Sequence, residues 1–136
     1  MPNPLRRGVD PYADADAAAR ILAPVLGPIV MDDVTANTKH LVSPVKGRVR
    51  SVTRVTNVVA GTADSATTVN VNGGATIATV TNETAGAVAD VDTVDVQDTA
   101  DNIVNEGDTI ELVGAGGATT NGESNIQVVI EPDTNV

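Results

Sequence analysis

The sequence predicts an all-β protein: an antiparallel β-sandwich or jelly-roll-like domain with an extended N-terminal arm. Short runs rich in Val, Ile and Thr recur from residue 41 onward, separated by clusters of Gly, Asn and Asp, the spacing of a two-sheet β-domain. Within those runs Thr, Val, Ser and Asn stand where helix formers would be needed. The first 40 residues read differently, punctuated by Pro2, Pro4, Pro11, Pro24 and Pro28. At 136 residues the chain is one domain with an appendage, divided here as arm 1–40 and sandwich 41–136.

In the arm, the stretch near 14–22 reads as a short helix, capped by Asp14 and stopped before Pro24, because proline disfavours helical geometry in its predecessor. The rest reads as extended, and forty residues drawn out reach about 130 Å, far enough to cross a neighbouring subunit. A solvated tail has no use for Leu5, Tyr12, Ile21, Leu22, Val25, Leu26 and Ile29. They favour an arm that orders on a partner over a disordered tail.

Leu41–Pro44 reads as a short edge strand ended by a proline that cannot donate to a ladder. From Lys46 to Val59 the β-branched content makes a strand, yet Val49, Val52, Val55 and Val58 recur every third residue. A β-bulge or burial on both faces reconciles that spacing. Thr67–Asn72 alternates, with Val69 and Val71 on one face, and Asn72-Gly73 before Ala75–Thr81 signals a tight hairpin turn. Residues 82–101 are ambiguous: Val91, Val94 and Val96 suggest a strand, while five Asp around them suggest solvent. Beyond Ile103-Val104, Asn105–Asp108 reads as a turn and Thr109–Val113 as a strand with Ile110 and Leu112 inward. Gly114–Gly122 reads as a flexible loop, and Asn125–Glu131 closes the chain with Ile126, Val128 and Ile130 on one face.

Composition narrows the function. Up to Arg54, the last cation in the chain, eight Lys or Arg face five Asp, a net +3; beyond it there is no Lys or Arg and thirteen Asp or Glu, a net −13. Such a split suits a protein with one attached side and one solvent-facing side. Zero Cys excludes disulfides and thiolate metal sites. No apolar run approaches the roughly 20 residues of a membrane span, and no secretory h-region precedes the domain, so no membrane partner is expected. With Tyr12 as the one aromatic residue, the core must be built from small aliphatic groups, which favours an oligomer or a partner surface. The same scarcity and the acidic balance argue against nucleic acid.

A catalytic site is not assembled by the residues present, and no cofactor is implied. His40 is the single histidine, too little for a His-based triad or a zinc cage, and reads as a surface or packing residue. Gly114-Ala-Gly-Gly lacks the Lys and helix of a phosphate loop. Asp90, Asp92, Asp95, Asp98 and Asp101 could offer oxygens to Ca²⁺ but lack the spacing and glycine of a calcium loop, so an acidic solvated face is the plainer reading. Asn82-Glu83-Thr84 matches a glycosylation pattern and reads as chance. The basic residues are the candidates for function. Arg48 and Arg50 are two apart and share a face, with Lys46 in phase and Arg54 possible in phase. Together with Arg6, Arg7, Tyr12 and Arg20 they form a candidate docking set for an acidic surface. The competing reading is a blunted edge strand that balances the protein's own carboxylates.

Gly47-Arg-Val-Arg-Ser-Val, then Gly61–Gly74, then Val104-Asn-Glu-Gly-Asp-Thr-Ile-Glu-Leu, then Ile126–Pro132 resemble, in order, the small β-sandwich structural proteins of tailed bacteriophages. These are capsid decoration or cement proteins and some head-fibre or tail domains. The resemblance covers about residues 41–132 and implies a non-enzymatic protein on the exterior of the virion. It further implies a homotrimer that binds the major capsid protein and clamps neighbouring capsomers. A head-fibre or tail-associated domain that binds host-surface carbohydrate is the alternative. The long proline-rich N-terminal segment departs from the pattern, which holds structural positions and transfers no functional residue.

Overall fold

A computed structural model describes residues 23–133. The strands are β1 (Val25–Asp32), β2 (Asn37–Val42), β3 (Gly47–Val58), β4 (Ser65–Val71), β5 (Ala78–Asn82), β6 (Val91–Asp95), β7 (Ile103–Val104), β8 (Thr109–Gly114) and β9 (Glu123–Pro132). They form two antiparallel sheets: β1-β9-β3-β6, with β7 also paired to β3, and β2-β8-β4-β5. The fold is therefore the expected β-sandwich. Most connections cross between the sheets, which places the edges β1 and β2 on one side and β5 and β6 on the other.

Residues 25–40, assigned above to the arm, belong to the sandwich. Met31 is fully buried, and Leu26 and Ile29 pack against the core, so β1 has one apolar face to hide. It hides that face by pairing with β9, about a hundred residues away, where no local pattern announces a partner. Pro28 is tolerated because β1 is an edge strand and the register shifts between Leu26 and Ile29. Likewise β2 lies at the edge of its sheet, as expected for Leu41, but starts four residues earlier. The helix expected near 14–22 lies outside the described residues.

The third-residue spacing of valines in β3 is resolved by a bulge. Register shifts between Val49 and Ser51, so Val49 and Val52 both face inward and are fully buried. Val55 consequently faces outward, and Val58 is exposed because a second register shift, between Thr56 and Val58, reverses the parity again. The predicted alternations hold elsewhere: Val69, Ile110, Leu112, Ile126, Val128 and Ile130 are fully buried, and Val71 nearly so. Each presents β-branched or aliphatic bulk to the opposite sheet, and apart from the thioether of Met31 every buried hydrophobic side chain among the described residues is aliphatic. The Asn72-Gly73 turn also forms, with positive φ at both residues and Gly74 N–H donating to Val71 C=O at 2.9 Å. Its second strand begins at Ala78 rather than Ala75. Valines at 91 and 94 do form a strand, β6, at the sheet edge.

The loop 115–122, expected to be flexible, is seated on its neighbours. Gly116 (φ 68) passes so close to Ala36 that a Cβ would lie 2.3 Å from its nitrogen. Ala118 N–H donates to Asp33 C=O, and Gly61 exchanges backbone bonds with Thr119 and Asn121. Beneath this loop the core is polar: Asp33 Oδ2 accepts from Asn82 Nδ2 at 2.7 Å and from Ser124 Oγ at 2.8 Å, all three residues being buried. Asn82 also receives Ala60 N–H and donates to Val58 C=O, so its side chain ties three segments together, and Asp33 adds the fourth through Ser124.

Two outcomes follow. At Gly47 a Cβ would meet Glu131 C=O at 2.1 Å, a backbone contact that cannot swing away. Gly47→Ala is expected to lower stability by at least about 2 kcal/mol in urea denaturation. Gly107→Ala, with φ 89 but open space around it, should cost about 1 kcal/mol; equal losses would contradict the close-approach argument. Separately, Asp108 is held below its usual carboxylate pKa, chiefly by the backbone N–H of Asn105 and then by Asn72. A depressed folded pKa stabilises above the unfolded value of 3.8 and is lost as pH falls through the folded one. Asp108→Asn should therefore flatten the loss of stability on acidification below about pH 4, read from denaturant midpoints.

Candidate docking groove

Four of the candidate residues lie on or beside β3, and the bulge decides the fates of those on it. Arg48, opposite Glu131, faces outward, and Arg50 at the bulge reaches the same side. Past the bulge the parity of the strand inverts. Arg54 therefore turns inward and is 5% exposed, which removes it from any docking surface. Its Nη1 donates to Thr56 Oγ1, while Nε has no partner among the described residues. Directly across the ladder is Asp92, whose carboxylate accepts Thr81 N–H at 3.1 Å.

Lys46, Arg48 and Arg50 line an open groove of about 690 Å³ at the end of the sheet together with three carboxylates, Asp98, Glu131 and Asp133. Arg50 is committed: Nε and Nη2 donate to Glu131 Oε2, and Nη1 lies 3.2 Å from Asp98 Oδ1. The Glu131 hydrogen bond is the main reason its pKa rises above the usual guanidinium value, against a smaller opposing effect of burial. Lys46 Nζ is 4.0 Å from Asp133 Oδ2. Arg48 is held differently. Its Nη1 donates to Thr99 C=O at 3.0 Å and to Asn102 Oδ1 at 2.9 Å, both uncharged acceptors. No carboxylate pairs with it among the described residues, so its charge remains available at the groove.

The group that holds Arg48 was not singled out from sequence. Thr99 caps the 3-10 turn Ala100–Asn102, and Asn102 Oδ1 accepts Thr99 N–H in return. Asn102 is fully buried, and its Nδ2 donates to Val49 C=O at 3.0 Å. The signal in sequence was a Thr-x-x-Asn spacing, the size of a capping box with Asn at the third helical position.

The remaining candidates sit apart. Arg6, Arg7, Tyr12 and Arg20 lie outside the described residues. His40, expected at the junction of arm and domain, is inside β2 on its outward face, 3.8 Å from Glu111. Among the described residues no three His, Cys, Asp or Glu side chains come together to hold a metal. The Asp series has local tasks instead: Asp90 accepts Ala87 N–H, Asp92 accepts Thr81 N–H and Asp98 pairs with Arg50. Asn82 is fully buried, which closes the glycosylation reading. Among the described residues no helix is long and apolar enough to cross a membrane. Comparison with protein-family models, curated proteins and solved structures returns no match.

Asn102→Ala removes the bond to Val49 and frees Arg48. A loss of about 2 kcal/mol in chemical denaturation is expected, since a buried backbone carbonyl is left unpaired. A change below about 0.5 kcal/mol would show that the 3-10 turn is not what fixes Arg48.

Proposed function

We propose that the protein is a structural component of a tailed-phage virion, a decoration protein on the outside of the head that stabilises contacts between capsomers. The observation that carries this reading is the gathering of Lys46, Arg48 and Arg50 around one groove of a sandwich whose later residues bear no cation at all. Such a molecule can approach a partner with one end while its acidic remainder faces solvent and repels other particles. Arg48 supplies the docking charge and Arg50 the rigid wall beside it. The leading residues 1–22 would add reach toward the major capsid protein.

The reading is non-enzymatic, and its chemistry is adhesion. In purified particles from cells that carry the gene, the chain is expected to co-sediment with intact heads. Deleting residues 1–22 should reduce its occupancy at least about tenfold while the circular dichroism of the sandwich is unchanged. Absence of the chain from purified heads, or full occupancy by the truncated form, overturns the proposal.

A further inference from the structure

The outer face of the β1-β9-β3-β6 sheet is laid out symmetrically about one cross-strand row. That row is Gln127–Thr53–Thr93, uncharged throughout. One step along the strands on one side lies Val25–Val129–Ser51–Asp95, and one step on the other side Val30–Asn125–Val55–Val91. Val25, Val30 and Val91 are 53%, 48% and 62% exposed, large values for apolar side chains within strands. Asp95, on the edge strand, is the one charge in these three rows, and Arg50 stands at the bulge between the Ser51 row and the Arg48 end, held by Glu131 and Asp98. One step further out the charges appear: Arg48 with Glu131 at one end, Asp32 with Glu123 at the other. The opposite sheet differs. Its outer face carries the His40–Glu111 pair near its middle.

We infer that this face binds a second copy of the chain, related by a twofold axis lying along the Gln127–Thr53–Thr93 row. Under that rotation the two valine-bearing rows fall on each other, and β3 and β9 of one copy lie over β3 and β9 of the next. The end with Arg48 and Glu131 meets the partner's end with Asp32 and Glu123: the partner's Glu123 comes to lie over Glu131, itself held by Arg50, and Arg48, one strand over, stands between the two carboxylates. Arg48 thereby gains a carboxylate, which it lacks among the described residues, and Glu123, which accepts from Asn57 Nδ2 at 3.1 Å, gains a cation. The matched area fits a pair: four strands about 4.8 Å apart and eight residues along β9 give a face of roughly 19 by 27 Å. With side-chain relief, that is on the order of the 800 Å² per partner of a stable interface. A trimer cannot use the face this way, because stacking two sheets across a twofold leaves no place for a third. The inference does not rest on the virion reading and competes with it for Arg48, which a paired copy no longer offers to an acidic surface: a chain that pairs in solution but binds no heads sinks that reading and leaves this one standing.

The test is the mass of the full-length chain by light scattering and sedimentation velocity. Native protein is expected at twice the chain mass. Val55→Lys, in the middle of the face, should give single chains with unchanged circular dichroism. Arg48→Glu alone and Glu123→Arg alone should each weaken pairing about tenfold, and the two together should restore it. Within one chain these positions are about 27 Å apart, so restoration reports contact between copies and no folding defect can imitate it. A single-chain or three-chain mass for the native protein, or a double variant no better than its parents, overturns the inference.

Discussion

The extra residue in β3 is the constraint on which the rest of the molecule depends. Without the bulge at Arg50, residues 51, 53 and 55 would face inward, and Val52 would be thrust into solvent. With it, Val49 and Val52 fill the centre of the core, and Arg54 and Thr56 are carried to its polar end. The same residue puts the Arg50 side chain where Glu131 and Asp98 can hold it. One backbone irregularity thus decides which arginine is structural and which faces the surroundings.

The core has two regimes. At the middle, aliphatic side chains from both sheets interdigitate, and their small size means that burial per residue is modest. Toward the 115–122 loop, Asp33, Asn82 and Ser124 replace apolar packing with hydrogen bonds between distant segments. Such a network tolerates few alternatives, because each buried polar atom that loses its partner is costly. It specifies how the loops close over the sandwich, which the aliphatic layer cannot do by itself.

Charge follows the architecture. The carboxylates from Asp90 to Asp101 cluster around the β6 edge, where Asp90 and Asp92 accept backbone N–H groups and Asp98 pairs with Arg50. Cations are few and placed with economy: Arg50 closes a local ion pair, Arg54 is interior, and Arg48 is presented on neutral supports. A guanidinium held by carbonyl oxygens keeps its charge for another partner, whereas one held by carboxylates has little left to offer. The sandwich faces, by contrast, are mostly Val, Thr, Asn and Gln, the residues of a surface suited to contact as well as to water.

The β-class, the inward faces of β4, β8 and β9, and the Asn72-Gly73 turn were legible in the chain itself, because alternation and turn chemistry act over a few residues. So was the oddity of β3, whose valine spacing demanded either a bulge or two buried faces. The pairing of β1 with β9, the burial of Arg54 and the hold of Asn102 on Arg48 were not legible. Each depends on residues dozens of positions apart meeting in space. The sequence by itself determined that β3, β4, β8 and β9 must be strands and where cations are scarce. Only the tertiary structure decided which side of each strand faces in after the bulge, because a shift of one residue reverses every side chain beyond it.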